Sequence, residues 1–125
     1  MRFLLDTHIL IWLMADNPRL NQQARSLIVN AAEVYVSSAS IWEIAIKNRL
    51  GKMEEDAELI VARLKEAGLI ELDVTYRHAL ATSRLPLLHG DPFDRLLVAQ
   101  AITEPMRFLT SDKLLCAYSE LVIHV

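Results

Sequence analysis

The 125 residues are 53% hydrophobic with only 3 Gly and 4 Pro, too much core material and too little flexible sequence for a disordered chain. Its 13 basic and 16 acidic residues give a formal charge of −3, split −2 and −1 about Ala62 (6 − 8, then 7 − 8). That balance excludes a basic arm or an acidic tail, so a polyanion would have to be met through cations or a local basic patch.

Cys116 is the only cysteine, which excludes an internal disulfide and fits a reducing compartment. Asp6 breaks the N-terminal apolar run, and no stretch approaches the roughly 20 residues of a bilayer span. The expectation is one soluble, cytoplasmic domain over residues 1–125 with no membrane partner.

Phe3–Leu5 reads as a buried strand and THILIWLMA as the helix after it. NPRLNQQARSLIVNAA predicts a second helix with Leu20, Ala24, Leu27, Ile28 and Ala31 on one face. EVYVSS is a second strand. SIWEIAIKNRLGK and DAELIVARLKEAG are helices ending at Gly51 and Gly68, residues suited to a left-handed C′ position. LIELDV is a third strand, and TYRHALATSRLP a helix stopped by Pro86. HGDPFDRLLVAQA opens another helix, RFLTSD is a fourth strand, KLLCAYSE a last helix and LVIHV a final strand. Strands separated by helices pair in parallel, which predicts an α/β fold: a three-layer α/β/α sandwich around a central, mostly parallel sheet.

In such sheets ligands bind beyond the carboxyl ends of the strands. Asp6 ends the first strand, Asp112 follows the fourth, and Glu43 falls in the first turn of the helix after the second. The helix that begins at Asp91 and Asp94 feeds the fourth strand, so its N-terminus lies at the same edge. Each acid has an ordinary reading. Asp91, Pro92 and Asp94 suit N-cap, N1 and N3; Ser40 and Glu43 have capping-box spacing; Asp6 and Asp112 could cap the helices that follow them. Together, however, they would repel one another and raise one another's pKa unless a cation lay among them. Oxygen donors in that number suit Mg²⁺ or Mn²⁺ rather than zinc, and such a site performs metal-assisted phosphoryl chemistry.

LLDTHILIW, SSASIWEIAIKNRLGK, HGDPFDRLLVAQA and LTSD, in this order and spacing, resemble the PIN-domain nucleases and, within them, the toxin ribonucleases of VapBC-type toxin–antitoxin pairs. The resemblance covers essentially the whole chain. It implies a Mg²⁺- or Mn²⁺-dependent endoribonuclease with an RNA substrate, a homodimer, and a small antitoxin whose tail covers the active-site groove. The acidic set it implies here is Asp6, Glu43, Asp94 and Asp112. Asp6 and Asp94 would be direct metal ligands, and Glu43 and Asp112 would complete the site as ligands, through water, or by orienting the attacking water. Asp91 would be an accessory acid or only a cap. One departure is visible: an aromatic residue often follows TSD in such proteins, whereas Lys113, Leu114, Leu115 and Cys116 follow here.

Among the neighbours, Thr7 could bond a metal-bound water or cap its helix. Arg95 could steady a carboxylate, meet a phosphate or form a structural ion pair. Lys47 is spaced to pair with Glu43, and with Arg49 and Lys52 forms the densest basic cluster. His8 is expected to be packed or half-exposed, and His89 to be a solvated loop residue. Trp12 and Trp42 are expected in the core or an interface, with base stacking the lesser reading, and Ile11 and Trp12 are candidates to receive an antitoxin helix. Two rival functions stand beside the nuclease. One is a doubly wound phosphotransfer domain, against which counts the Thr7–His8 pair after Asp6. The other is a PIN-like scaffold that only binds partners.

Overall fold

A computed structural model describes residues 1–125. Strand β1 (Arg2–Leu5) lies at the centre of a five-stranded sheet, between β2 (Glu33–Ser37) and β4 (Arg107–Thr110). β3 (Leu69–Leu72) and β5 (Val122–His124) form the edges, the order is β3-β2-β1-β4-β5, and every pairing is parallel. The continuous apolar run of β1 follows from this place, because both of its faces are covered.

Phe3 and Leu5 point into one core with Ile9, Leu10 and Ile11 of α1 (Thr7–Met14), Ala24 of α2 (Gln22–Val29) and Ile60 of α4 (Ala57–Leu64). Leu4 points the other way, toward Phe108, Leu97 and Val98 of α6 (Pro92–Thr103), and Leu115. The remaining helix of the second layer, α5 (Tyr76–Ala81), packs on α6. Helix α3 (Ser38–Arg49) sends Ile44 into the first core and Ala39 into the second, so it closes the end of the sandwich over the carboxyl ends of the strands. Each fully buried Leu or Ile contributes on the order of 1.5–3 kcal/mol, which locks these strand ends in place.

Three elements depart from the sequence expectation. The second helix begins at Gln22 rather than near Asn17. Asn17 instead closes a turn, accepting from Leu20 N at 3.0 Å and through its side chain from Arg19 N at 2.9 Å, and Asn21 provides the cap by accepting from Ala24 N. The TYRHALATSRLP helix leaves α geometry after Ala81 and tightens into a 3-10 turn over Thr82–Arg84. KLLCAYSE forms a 3-10 helix over Lys113–Tyr118. With Leu115 as its only buried anchor, this short link closes i to i+3, as in Leu115 N to Asp112 O at 3.1 Å. Gly51 takes the left-handed C′ conformation at φ +74°, whereas α4 ends at Leu64 and Gly68, at φ +76°, lies in the turn three residues past its C-cap Lys65. No helix is long and apolar enough to cross a membrane.

Candidate active site

Asp6 stands where β1 ends, buried to 4% exposure beside the last residues of β4. Its backbone N–H donates to Leu109 O at 2.9 Å, continuing the β1–β4 ladder. Its carboxylate accepts from Thr7 N at 2.7 Å and from the Thr110 hydroxyl at 2.6 Å. Thr110 Oγ1 in turn accepts from Asp112 N at 3.0 Å, so one buried hydroxyl fixes both the rotamer of Asp6 and the turn that presents Asp112. Burial pushes the Asp6 carboxyl above its ordinary range, against the pull of those donors.

Glu43 arrives from α3, but in its second turn and not the first. The cap is Ser37, whose hydroxyl accepts from Ala39 N at 3.0 Å, so the expected Ser40–Glu43 capping box does not exist. Ser40 is instead turned into the protein, 2.9 Å from the Thr7 hydroxyl, which lies 2.7 Å from Glu43 Oε1. A hydroxyl has one proton to give; the carboxylate can only accept, so Thr7 donates to Glu43 and Ser40 donates to Thr7. The other oxygen of Glu43 accepts from Lys47, one turn along, whose ammonium this hydrogen bond holds above its usual pKa.

The third contribution comes from the N-terminus of α6. Asp91 is the N-cap, accepting from Phe93 N at 2.8 Å and Asp94 N at 3.2 Å, with Pro92 at N1. Asp94, three residues on, caps nothing. No hydrogen bond reaches its carboxylate, and its nearest cationic candidate is His89 Nε2 at 3.7 Å. Burial first, then the charges of Asp6 and Asp91, push the Asp94 pKa up to about 7.

His89 is half-buried in this cluster rather than solvated. Asp91 N donates to its Nδ1 at 3.1 Å, so Nδ1 carries a lone pair and the neutral ring holds its proton on Nε2. That Nε2–H donates to Asp112 Oδ2 at 3.0 Å, while Asp112 Oδ1 accepts from Leu114 N at 3.0 Å.

The structure therefore brings together Asp6, Glu43, Asp94 and Asp112, with Thr7 and Asp91 beside them. A group of possible ligand atoms on His89, Asp94 and Asp112 falls within 4.8 Å. The protonated Nε2 has no lone pair for a metal, which leaves an all-oxygen donor set of the kind hard cations prefer. A carboxylate with no hydrogen-bond donor, half-buried among other carboxylates, fits a divalent cation; a cap or ion pair would already have its partner.

Arg95 is not brought to the cluster. Its guanidinium donates to Pro86 O at 2.9 Å, Thr82 O at 3.0 Å and Tyr118 Oη at 3.0 Å, tying the loop before α6 to the 3-10 helix. His8 is exposed. Ile11, expected to face a partner, is buried at 7% exposure, and Trp12 is half-buried against the same core. Trp42, expected in the core or an interface, is 60% exposed and so lies outside the core. Sequence reasoning passed over Thr110 and read Ser40 only as a cap and His89 only as a solvated loop residue. Thr110 shares the sheet face of Phe108 by strand alternation, and Ser40 lies one helical turn from Glu43; these spacings were the available signals.

A family model described as PIN domain matches residues 3–121. The chain is 30% identical over 113 residues to Ribonuclease VapC22 of Mycobacterium tuberculosis, spanning 88% of this chain and 86% of that relative. Among solved structures it is similar to VapBC2 from Rickettsia felis bound to a promoter DNA fragment, at TM-score 0.72 and 17% identity over 99% of this chain and 98% of that one. It is also similar to a toxin–antitoxin complex from Klebsiella pneumoniae (TM-score 0.66, 16% identity, 96% of this chain and 94% of that one). At those identities the structural matches speak for the fold.

Proposed function

The chain belongs to the PIN-domain family, and from that premise we propose that it is a Mg²⁺- or Mn²⁺-dependent endoribonuclease, the toxin of a VapBC-type pair. The observation that carries the proposal is Asp94. It is the one acid of the α6 start that serves no cap, and it lies unneutralised among Asp6, Asp91 and Glu43. Asp6 and Asp94 would hold the ion, with Glu43 and Asp112 completing its surroundings. A divalent ion bound there supplies a Lewis acid for the scissile phosphate and lowers the pKa of water.

What the chain itself contributes is fixed placement. Thr110 holds Asp6 from the β4 side, and Thr7, backed by Ser40, holds Glu43 from the α1 side. These bonds hold the carboxylates in one geometry before substrate arrives, which is where positioning lowers a barrier. His89 does the same for Asp112. Family membership sets aside the phosphotransfer alternative. The scaffold alternative accounts for Asp91 and Asp112, which do cap, but gives Asp94 no task.

The Klebsiella pneumoniae structure is by its name a toxin–antitoxin complex, and we extend to this chain a small antitoxin partner, a homodimer and action on RNA in the cytoplasm. The deciding experiment is cleavage of mixed cellular RNA by purified protein in Mg²⁺, in Mn²⁺ and in EDTA, beside an Asp6→Asn variant. Metal-dependent cuts that vanish in the variant are expected. Equal products from both proteins, each folded and free of partner, would return the chain to the scaffold reading.

A further inference from the structure

Trp42 and Phe93 meet edge to face beside the carboxylate cluster, with ring centroids 5.3 Å apart and planes at 68°. Trp42 lies next to Glu43 in sequence, and Phe93 next to Asp94. Lys47, the residue bonded to Glu43, has its ammonium 5.9 Å from the centre of the Phe93 ring. The aromatic pair and the acids therefore share a wall.

On its far side the pair opens into a cleft of about 500 Å³, lined also by Ala79, Thr82, Ser83 and Leu96. The cleft offers no free charge. Arg95 is committed to carbonyls and Tyr118, and Lys47 to Glu43. The hydroxyls of Thr82 and Ser83 donate back to Ala79 O and Leu80 O, which leaves oxygen lone pairs as the polar groups on offer. A phosphate finds nothing to bind in such a cleft. A nucleobase finds an aromatic face to stack on and acceptors for the N–H groups on its edge.

We propose that Trp42, braced by Phe93, is a stacking platform for a base of single-stranded RNA flanking the phosphate held at the carboxylates. The inference rests on the nuclease reading and goes beyond it by assigning a base subsite. The 60% exposed indole offers a face for a base to stack on, and its neighbour in sequence, Glu43, belongs to the carboxylate cluster. Stacking is tolerant of base identity, so the platform positions the strand and does not read its sequence.

The test measures binding and cleavage separately. Binding is read in Ca²⁺, a hard cation that compensates the carboxylates, from quenching of tryptophan fluorescence by a single-stranded oligoribonucleotide of about eight nucleotides, against an abasic strand of equal length. The expected result is quenching by the first and not the second, lost in Trp42→Ala and in Trp42→Phe because the indole is gone. Affinity, measured with end-labelled RNA, should fall roughly 5- to 100-fold in Trp42→Ala and recover in part in Trp42→Phe. Phe93→Leu should lower it less. The wild type is assayed for cleavage in Mn²⁺ alongside.

Unchanged affinity in Trp42→Ala, with the wild type cleaving, overturns the platform and leaves the nuclease intact. Stacking without any cleavage overturns the nuclease reading instead. No RNA effect together with a changed oligomeric state in Trp42→Ala marks this face as a protein interface and overturns the proposal.

Discussion

At Asp94, a ligand in the proposed metal site, stability and that proposed role pull in opposite directions, and the conflict has a size. Its carboxyl is raised from 3.8 to about 7 in the folded protein. The unfolded chain releases that proton near its ordinary pKa, so between those values the native state binds more protons than the unfolded state. Stability must therefore fall as pH rises through this window, and not recover above it. About three pKa units correspond to about 4 kcal/mol at full ionisation. An Asp94→Asn variant keeps the shape and cannot ionise. In EDTA it should match the wild type near pH 4, exceed it by about 3 kcal/mol at pH 6 and by about 4 kcal/mol at pH 8. In a domain of this length that gap reads as roughly 15 °C in Tm by calorimetry. Addition of Mn²⁺ at pH 8 should then stabilise the wild type, by about 2.7 kcal/mol at a hundred times Kd, and the variant far less. A Tm difference that does not change between pH 4 and pH 8, or a variant less stable than wild type at pH 8, would refute the claim that Asp94 is an unneutralised carboxylate among its neighbours.

Asp91 and Asp94 should separate cleanly: Asp91→Ala loses a cap worth about 1 kcal/mol yet keeps cleavage within a few-fold at saturating metal, while Asp94→Ala loses it. Equal loss in an RNA cleavage assay would make Asp91 a ligand. Thr110→Val strands the Asp112 N–H and frees Asp6, costing about 1–3 kcal/mol in urea unfolding and lowering kcat, whereas Thr110→Ser should retain both. Arg95→Ala should cost about 2 kcal/mol by the same measurement, with no rescue by lysine, because a single ammonium does not span two carbonyls and a tyrosine hydroxyl as a planar fork does.

The strands and the shared edge of the acids were legible because each rests on one strong signal: an apolar run for a doubly covered strand, and topology for the direction of α6. Where competing polar groups decided, the sequence was less clear. Asn17 and Asn21 are both acceptable caps, and the choice fell to Asn21 once burial of Leu20 committed Asn17 to a turn. Ser37 and Ser40 competed for the start of α3. Ser37 follows β2 directly, and Ser40 was drawn inward by Thr7, a contact across 33 residues that no local pattern contains. His89 failed for the same reason: its partners are a backbone N–H two residues on and Asp112, which only the folding of β4 beside β1 brings near. Trp42 sits in an apolar stretch of sequence, and only the direction in which α3 spans both cores leaves its ring outside.

The central place of β1 also sets when the cluster can exist. Synthesis delivers Asp6 first and Asp112 last of the four acids. Until β4 emerges, β1 has a neighbour on one side only, and Asp6 lacks both the ladder bond to Leu109 and the hydroxyl of Thr110. A growing or prematurely terminated chain thus carries the acids scattered along an unfinished sheet. Under the proposed nuclease activity, a nascent or prematurely terminated chain would therefore be inactive until β4 has paired with β1.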